Sequence, residues 1–193
     1  MKKPEIFAIS LFIITMVTIR PVQAEKGPTD PMDKGAMVLD IGIGPGTHFF
    51  GNGFGFGPAF KMGFEKGMWQ VGPGVFTLGG EFTVSYFTYK YYVDYKETWI
   101  NFMFAARSAY HYGWKVPGLD TYAGIPAGIG FCAYTDSWKD MKNHFGYRGY
   151  HAVYPYFGIF IGAAYYFSPV FGLFGELGYN STYATIGVAL KLK

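Results

Sequence analysis

Two neighbouring stretches, Gly80 to Tyr95 and Glu97 to Tyr112, alternate with a period of two. That spacing restricts both to β-strands. In the first, Phe82, Val84, Tyr86 and Thr88 share one face, and Glu81, Thr83, Ser85 and Phe87 share the other. In the second, Ile100, Phe102, Phe104 and Ala106 oppose Asn101, Met103, Ala105 and Arg107. One face is continuously apolar. The other mixes small residues with isolated charges. In a soluble barrel the apolar face points inward; in a membrane barrel it points out to lipid and the charges are enclosed. The direction of this face therefore decides the protein's environment.

The chain's start and its composition both bear on that direction. Lys2 and Lys3 precede an apolar run from Ile6 to Ile19, and Val22-Gln23-Ala24 supplies small residues. This is the pattern of a secretory signal (1–24) cut between Ala24 and Glu25. The run is shorter than the roughly 20 residues that span a bilayer. The signal holds Lys2, Lys3, Arg20 and Glu5, a net +2, so the formal charge of +3 falls to +1 without it. No nucleic-acid partner is therefore inferred. The single cysteine, Cys132, excludes an internal disulfide framework and reads as a small apolar filler. Charged residues make up 15% of the chain and aromatics 21%, against about 25% charged in ordinary soluble domains. In water such a surface would expose large apolar patches; in lipid it is favourable, with Tyr and Trp at the two interfaces. No later segment is an apolar run long enough for a spanning helix, which leaves a closed barrel.

Eight strand-like segments follow a polar leader (25–34), within a barrel domain expected over 35–193. They are expected near residues 36–48, 57–65, 80–95, 97–112, 119–134, 150–167, 171–179 and 183–193. Both faces of the sixth are apolar, so its inward side stays open. Compact Gly- and Pro-rich turns (65–73, 112–118, 168–170) alternate with connections at the other end, of which Thr135 to Gly149 is the longest and most polar. The expected fold is all-β, an antiparallel up-and-down transmembrane β-barrel of eight strands. An even strand number puts both termini on the short-turn, periplasmic side.

The cleavable signal, the Gly42 to Gly46 opening strand and the closing hairpin carry a resemblance. That hairpin reads Tyr165-Tyr166-Phe167-Ser168-Pro169, then Phe171 to Tyr179 with Gly175-Glu176-Leu177-Gly178-Tyr179. It resembles small outer-membrane β-barrels of the OmpX/OmpA-like class, over essentially the whole mature chain. The resemblance implies residence in the bacterial outer membrane, contact with its lipid and lipopolysaccharide, and insertion by the barrel assembly machinery. The chain departs from the class in ending Leu192-Lys193 rather than in an aromatic residue.

The inward faces collect Asp40, Lys61, Glu81, Arg107, Glu176 and Lys191. Eight strands leave an interior that side chains roughly fill, and buried charges there must be paired. A salt-bridged polar interior follows, with Arg107 at its hub because its fork serves two carboxylates. It reads as structural, with a narrow pore or proton path as the functional alternative. The histidines (His48, His111, His144, His151) read as unspecialised, and no metal or cofactor site is expected. His111 lies three residues from Ser108, an odd spacing that sends the two to opposite faces. An outer-membrane lipid A-modifying enzyme therefore stays an alternative without a catalytic pair, and no catalytic residue is expected. Gly42, Gly44 and Gly46 are not a nucleotide loop, because Pro45 interrupts them and no helix follows. Aromatics including Tyr86, Tyr110, Tyr112, Trp114, Tyr134 and Tyr179 are expected in interfacial girdles. The expected role is structural or interactive, with 135–149 as the contact surface. A soluble lipocalin-like carrier is the remaining alternative.

Overall fold

The computed structural model describes residues 32–46, 57–92, 95–114, 116–136 and 151–192. The signal with its cleavage point at Ala24 and Glu25, the leader through residue 31, and most of the 135–149 connection lie outside them. The described strands are β1 (Met37–Gly46), β2 (Gly57–Val71), β3 (Gly74–Tyr92), β4 (Tyr95–Gly113), β5 (Leu119–Asp136), β6 (His151–Phe157), β7 (Ile159–Tyr166), β8 (Phe171–Tyr179) and β9 (Ala184–Leu192). All pairings are antiparallel, and β9 pairs back onto β1, closing the sheet into a barrel. β6 and β7 both pair with β5, one above the other, and run end to end across Gly158. They form a single stave, so the barrel has eight.

The alternation seen in the sequence is the wall of this barrel. Phe82 stands opposite Phe104, Val84 opposite Phe102 and Tyr86 opposite Ile100. Phe102, Phe104 and Tyr86 are exposed, whereas Glu81, Thr83, Ser85, Asn101, Met103 and Arg107 are buried. The apolar face points out and the charged face in, the arrangement that only lipid makes favourable. The sixth segment resolves the same way. Tyr154, Tyr156, Phe160 and Ala164 turn inward; Val153, Phe157, Ile159 and Ile161 turn outward.

Two expectations are corrected. The turn read over 65–73 is strand through Val71, and the chain reverses only at Gly72 and Pro73. Gly72 takes φ 58° there, a conformation that favours glycine. The pattern was hidden by a β-bulge between Gly67 and Trp69. An extra residue at Met68 flips the parity, so the inward row passes from Gly67 to Gln70, opposite Val75, and Trp69 and Val71 face out. Glu65 is therefore an inward strand residue. The second correction is Tyr134, which lies buried inside, its ring 4.4 Å from that of Trp99. Outward aromatics do gather at the two ends. Trp69, Phe76, Trp114, Tyr165 and Phe171 stand near the short turns, and Tyr86 and Tyr179 near the opposite rim.

The interior is layered along the barrel axis. Near the short turns an apolar cluster of Val38, Val75, Tyr122, Phe160 and Phe174, with Met32 from just ahead of β1 buried among them, shares the lumen with the His111–Asp120 pair. The charges fill the middle. Hydroxyl and amide side chains (Thr83, Asn180, Ser181, Thr182, Thr185) close the other end.

Candidate functional site

Inward positions on five staves converge on one buried cluster. β2 supplies Lys61 and Glu65, β3 supplies Glu81, β4 supplies Arg107 and His111, β5 supplies Asp120, and β8 supplies Glu176. Every one is a residue of the enclosed parity, which is why side chains distant in sequence meet.

Arg107 lies at the centre and meets three carboxylates. Its Nε donates to Glu65, its Nη1 to Glu81 Oε2 at 3.0 Å and its Nη2 to Glu176 Oε2 at 2.8 Å. The planar fork serves each partner along a separate N–H direction, which a lysine could not do. One face of the guanidinium lies over the Phe160 ring, 3.8 Å from its centroid. Lys61 bridges two of the same acids, Glu81 at 3.1 Å and Glu176. Two permanent cations thus bind three carboxylates inside a water-poor lumen. Each charge has several partners, the condition under which burying it is tolerable.

The cluster extends in both directions. Toward the short turns, His111 sits between two acids, with Nε2 3.0 Å from Glu65 Oε2 and Nδ1 2.8 Å from Asp120 Oδ2. Two carboxylate partners call on both ring nitrogens as donors. The Tyr122 ring stacks on the imidazole at 4.8 Å, and Thr77 donates its hydroxyl to Glu65. Toward the opposite rim, Tyr156 donates to Glu81 Oε1 at 3.2 Å and accepts the Ser181 backbone N–H at 2.9 Å. Ser181 Oγ reaches the same Glu81 oxygen at 3.1 Å, and Asn180 Nδ2 reaches Glu176 Oε1 at 3.2 Å. The tight turn between β8 and β9 is thereby tied to the central ions. Replacing Tyr156 with Phe removes a bond to a charged acceptor and strands a buried N–H. It should lower stability by about 1–3 kcal/mol in a urea titration of the detergent-folded protein.

Of the six interior charges read from the sequence, Lys61, Glu81, Arg107 and Glu176 are joined here. Asp40 and Lys191 belong to β1 and β9 and make none of these ion pairs. Glu65, His111 and Asp120 were not anticipated. Their signal was positional: each continues the inward parity of its strand, Glu65 two steps beyond Lys61 and His111 two steps beyond Arg107. His48 and His144 lie outside the described residues. Ser108 and His111 face opposite sides, since Ser108 lies on the outward parity and His111 is buried inside. Among the described residues, no group of three His, Cys, Asp or Glu side chains could hold a metal ion. Most of these donors and acceptors are spent on one another, while Asp120 Oδ1 and the Tyr122 hydroxyl, both buried, have no hydrogen-bond partner.

No protein-family model matches the chain, and no curated protein does. Solved structures are similar in fold. Ail, the attachment invasion locus protein of Yersinia pestis, aligns over 82% of this chain and 96% of its own, at 11% identity and a TM-score of 0.47. The N-terminal β-barrel domain of Pseudomonas aeruginosa OprF aligns over 83% and 98%, at 14% identity and a TM-score of 0.48. A de novo designed transmembrane β-barrel aligns over 83% and 98%, at 18% identity and a TM-score of 0.46. On its own geometry, a closed eight-stave antiparallel barrel with an apolar exterior and an ion-paired interior, the chain has the architecture of the small outer-membrane β-barrels.

Proposed function

We propose that this protein is an integral outer-membrane barrel that serves surface interaction, with its interior acting as a structural lock and not as a wide channel. The observation that carries the reading is an uneven rim. Among the described residues, the β3–β4 ladder continues from Ser85 opposite Asn101 up to Tyr92 opposite Tyr95, while β2 accompanies β3 as far as Ala59 opposite Ser85. On the other side β6 rises from Phe157 to His151 along β5, while β8 turns away after Tyr179. Among the described residues, four strands, β3 to β6, therefore stand beyond the closed part of the barrel. Among the described residues, β6 carries a ladder on its β5 side alone. A strand edge of that kind is a template for an extended segment of another chain.

In this reading the raised sheet and the 135–149 connection face the outside, and both termini face the periplasm. The lumen is filled by fully buried side chains, Arg107, Tyr156, Phe87, Met103 and Glu65 among them, which favours the lock over conductance. The opposite facing of Ser108 and His111 favours a non-enzymatic role over lipid A modification. Insertion by the assembly machinery is part of the same proposal.

The test uses the protein expressed in a diderm host. It should stay in the membrane pellet after alkaline washing and migrate as a heat-modifiable band. Cells displaying it should adhere to immobilised matrix protein more than cells without it. Deleting 137–149, or blunting the edge with Val153→Lys, should leave the heat-modifiable band intact and remove the adhesion. Alkaline release would sink the membrane barrel. Unchanged adhesion in both variants would sink the surface role. Steady conductance in a planar bilayer would replace the lock with a pore.

A further inference from the structure

The lumen carries more carboxylates than cations. Asp40, Glu65, Glu81, Asp120 and Glu176 all take inward positions. Lys61 and Arg107 are their permanent partners, and His111 adds a third positive charge when both ring nitrogens donate. Lys191 shares the inward parity of β9, but its backbone is bonded to Val170 in a short turn, and it makes no ion pair among the described residues. Even with Lys191 counted, one negative charge is left over in a medium where a bare charge is costly.

Asp40 is the acid that the network leaves out. It stands opposite Gly63 and Ala189, both enclosed. Among the described residues, no ion pair or side-chain hydrogen bond holds its carboxylate. Although its position is inward it is only half-buried, so open space lies against it. Gly63 leaves that space. A Cβ there would meet Asp40 Cβ at 3.8 Å, and Asp40 Oδ2 and Arg107 Nε at 4.0 Å, and nothing nearer. Two phenols approach from the far wall. Tyr122 crosses the lumen from β5 over the inward face of Gly162. It is 6% exposed, and its hydroxyl has no hydrogen-bond partner. Tyr166, on β7, is half-buried. For both hydroxyls, Asp40 is the surrounding charge that acts most strongly.

We propose that this pocket holds one small monovalent metal cation, sodium or potassium, between the Asp40 carboxylate and the Tyr122 hydroxyl oxygen. The charge count sets its sign and valence. The unbonded phenol oxygen facing an unpaired carboxylate sets its place, because a buried polar pair left apart calls for an occupant that attracts both. A divalent ion fits poorly. Calcium takes about six to eight oxygens, with carboxylates among them, and no group of three acids is assembled for it among the described residues. The site lies in the lumen and stands apart from the role of the rim.

The test reads ion binding as stability. The full barrel, folded in detergent at mildly alkaline pH, is unfolded with urea in sodium, potassium or N-methyl-D-glucamine chloride of equal ionic strength. The organic cation screens charge equally but is too bulky for an enclosed gap between two side chains. Wild type should be more stable in sodium or potassium. Above half-saturation, each tenfold rise in the bound ion should lower the unfolding constant tenfold, as one site requires. Asp40→Asn should lose this dependence while matching or exceeding wild type in the organic salt, because the unpaired charge is gone. Tyr122→Phe should weaken the ion dependence several-fold. If Asp40→Asn does not fold, Gly63→Ala takes its place: its methyl group stands at ordinary contact distance from Asp40, occupies the space and should weaken the ion dependence. Equal stability of wild type in the three salts would assign the leftover charge to a proton and overturn the proposal. An ion dependence that survives unchanged in Asp40→Asn, or in Gly63→Ala where that variant stands in, would do the same.

Discussion

Arg107→Met is expected to be the most damaging single change inside the barrel. Arg107 is 1% exposed, and its removal leaves Glu65, Glu81 and Glu176 facing one another with Lys61 as the remaining permanent cation. Lys61 reaches Glu81 and Glu176 but makes no ion pair with Glu65. Breaking a buried pair from one side costs about 3–5 kcal/mol, because the orphaned charge stays in low dielectric. The loss should appear as a lower urea midpoint for detergent-folded protein, with the slope unchanged. The double variant Arg107→Met with Glu65→Gln should recover part of it, since Glu65, left with His111 and Thr77 as partners, is then neutral. Lys61→Met should cost less, because Arg107 still holds both of its acids. Equal stability of Arg107→Met and wild type would remove Arg107 from the centre of the network.

The barrel was legible because its signal is repetitive. A period of two over the β3–β4 hairpin assigns every side chain to a face, and charge scarcity then tells which face meets lipid. Arg107 could be singled out for the same reason: it is an isolated cation on an otherwise small or apolar inward row. Legibility failed where the period changes phase. The bulge at Met68 made Trp69 and Val71 look out of step with Lys61 and Glu65, so the strand seemed to stop at Glu65. His111 and Asp120 were hidden differently. Both lie close to the β4–β5 turn, where a polar residue reads as a turn residue, and only the β4–β5 register sets them near each other. The sixth stave had no readable face because Tyr154, Tyr156 and Phe160 point into the lumen. Aromatics serve there as filler, and no polar residue marks the inside. The uneven rim was beyond reach for a related reason. Strand lengths are visible in a sequence, but the height at which neighbouring staves end depends on register.

Phe104→Arg tests the orientation of the whole wall. Phe104 is 49% exposed, packed between Phe82 at 5.0 Å and Phe131 at 6.2 Å on the outer face of β4. On a soluble protein a charge at so exposed a position changes stability by about 0.5 kcal/mol or less. On a barrel in lipid, arginine near the midplane costs about 2–4 kcal/mol, falling to about 0–1 kcal/mol at the interfaces. Thr98 shares the outward parity of β4 but lies toward the raised rim, so Thr98→Arg supplies the interfacial comparison. Urea unfolding from phospholipid vesicles should therefore rank wild type and Thr98→Arg together and Phe104→Arg well below them. The gap should narrow in detergent micelles, whose apolar layer deforms around a charge more readily than a bilayer does. Phe104→Arg also gives up the contacts with Phe82 and Phe131, a loss common to vesicles and micelles, so the lipid contribution is read from the narrowing of the gap between the two. If the two arginine variants are equally stable in vesicles, the apolar face does not meet lipid, and the direction assigned to the alternation of Gly80 to Tyr112 is reversed.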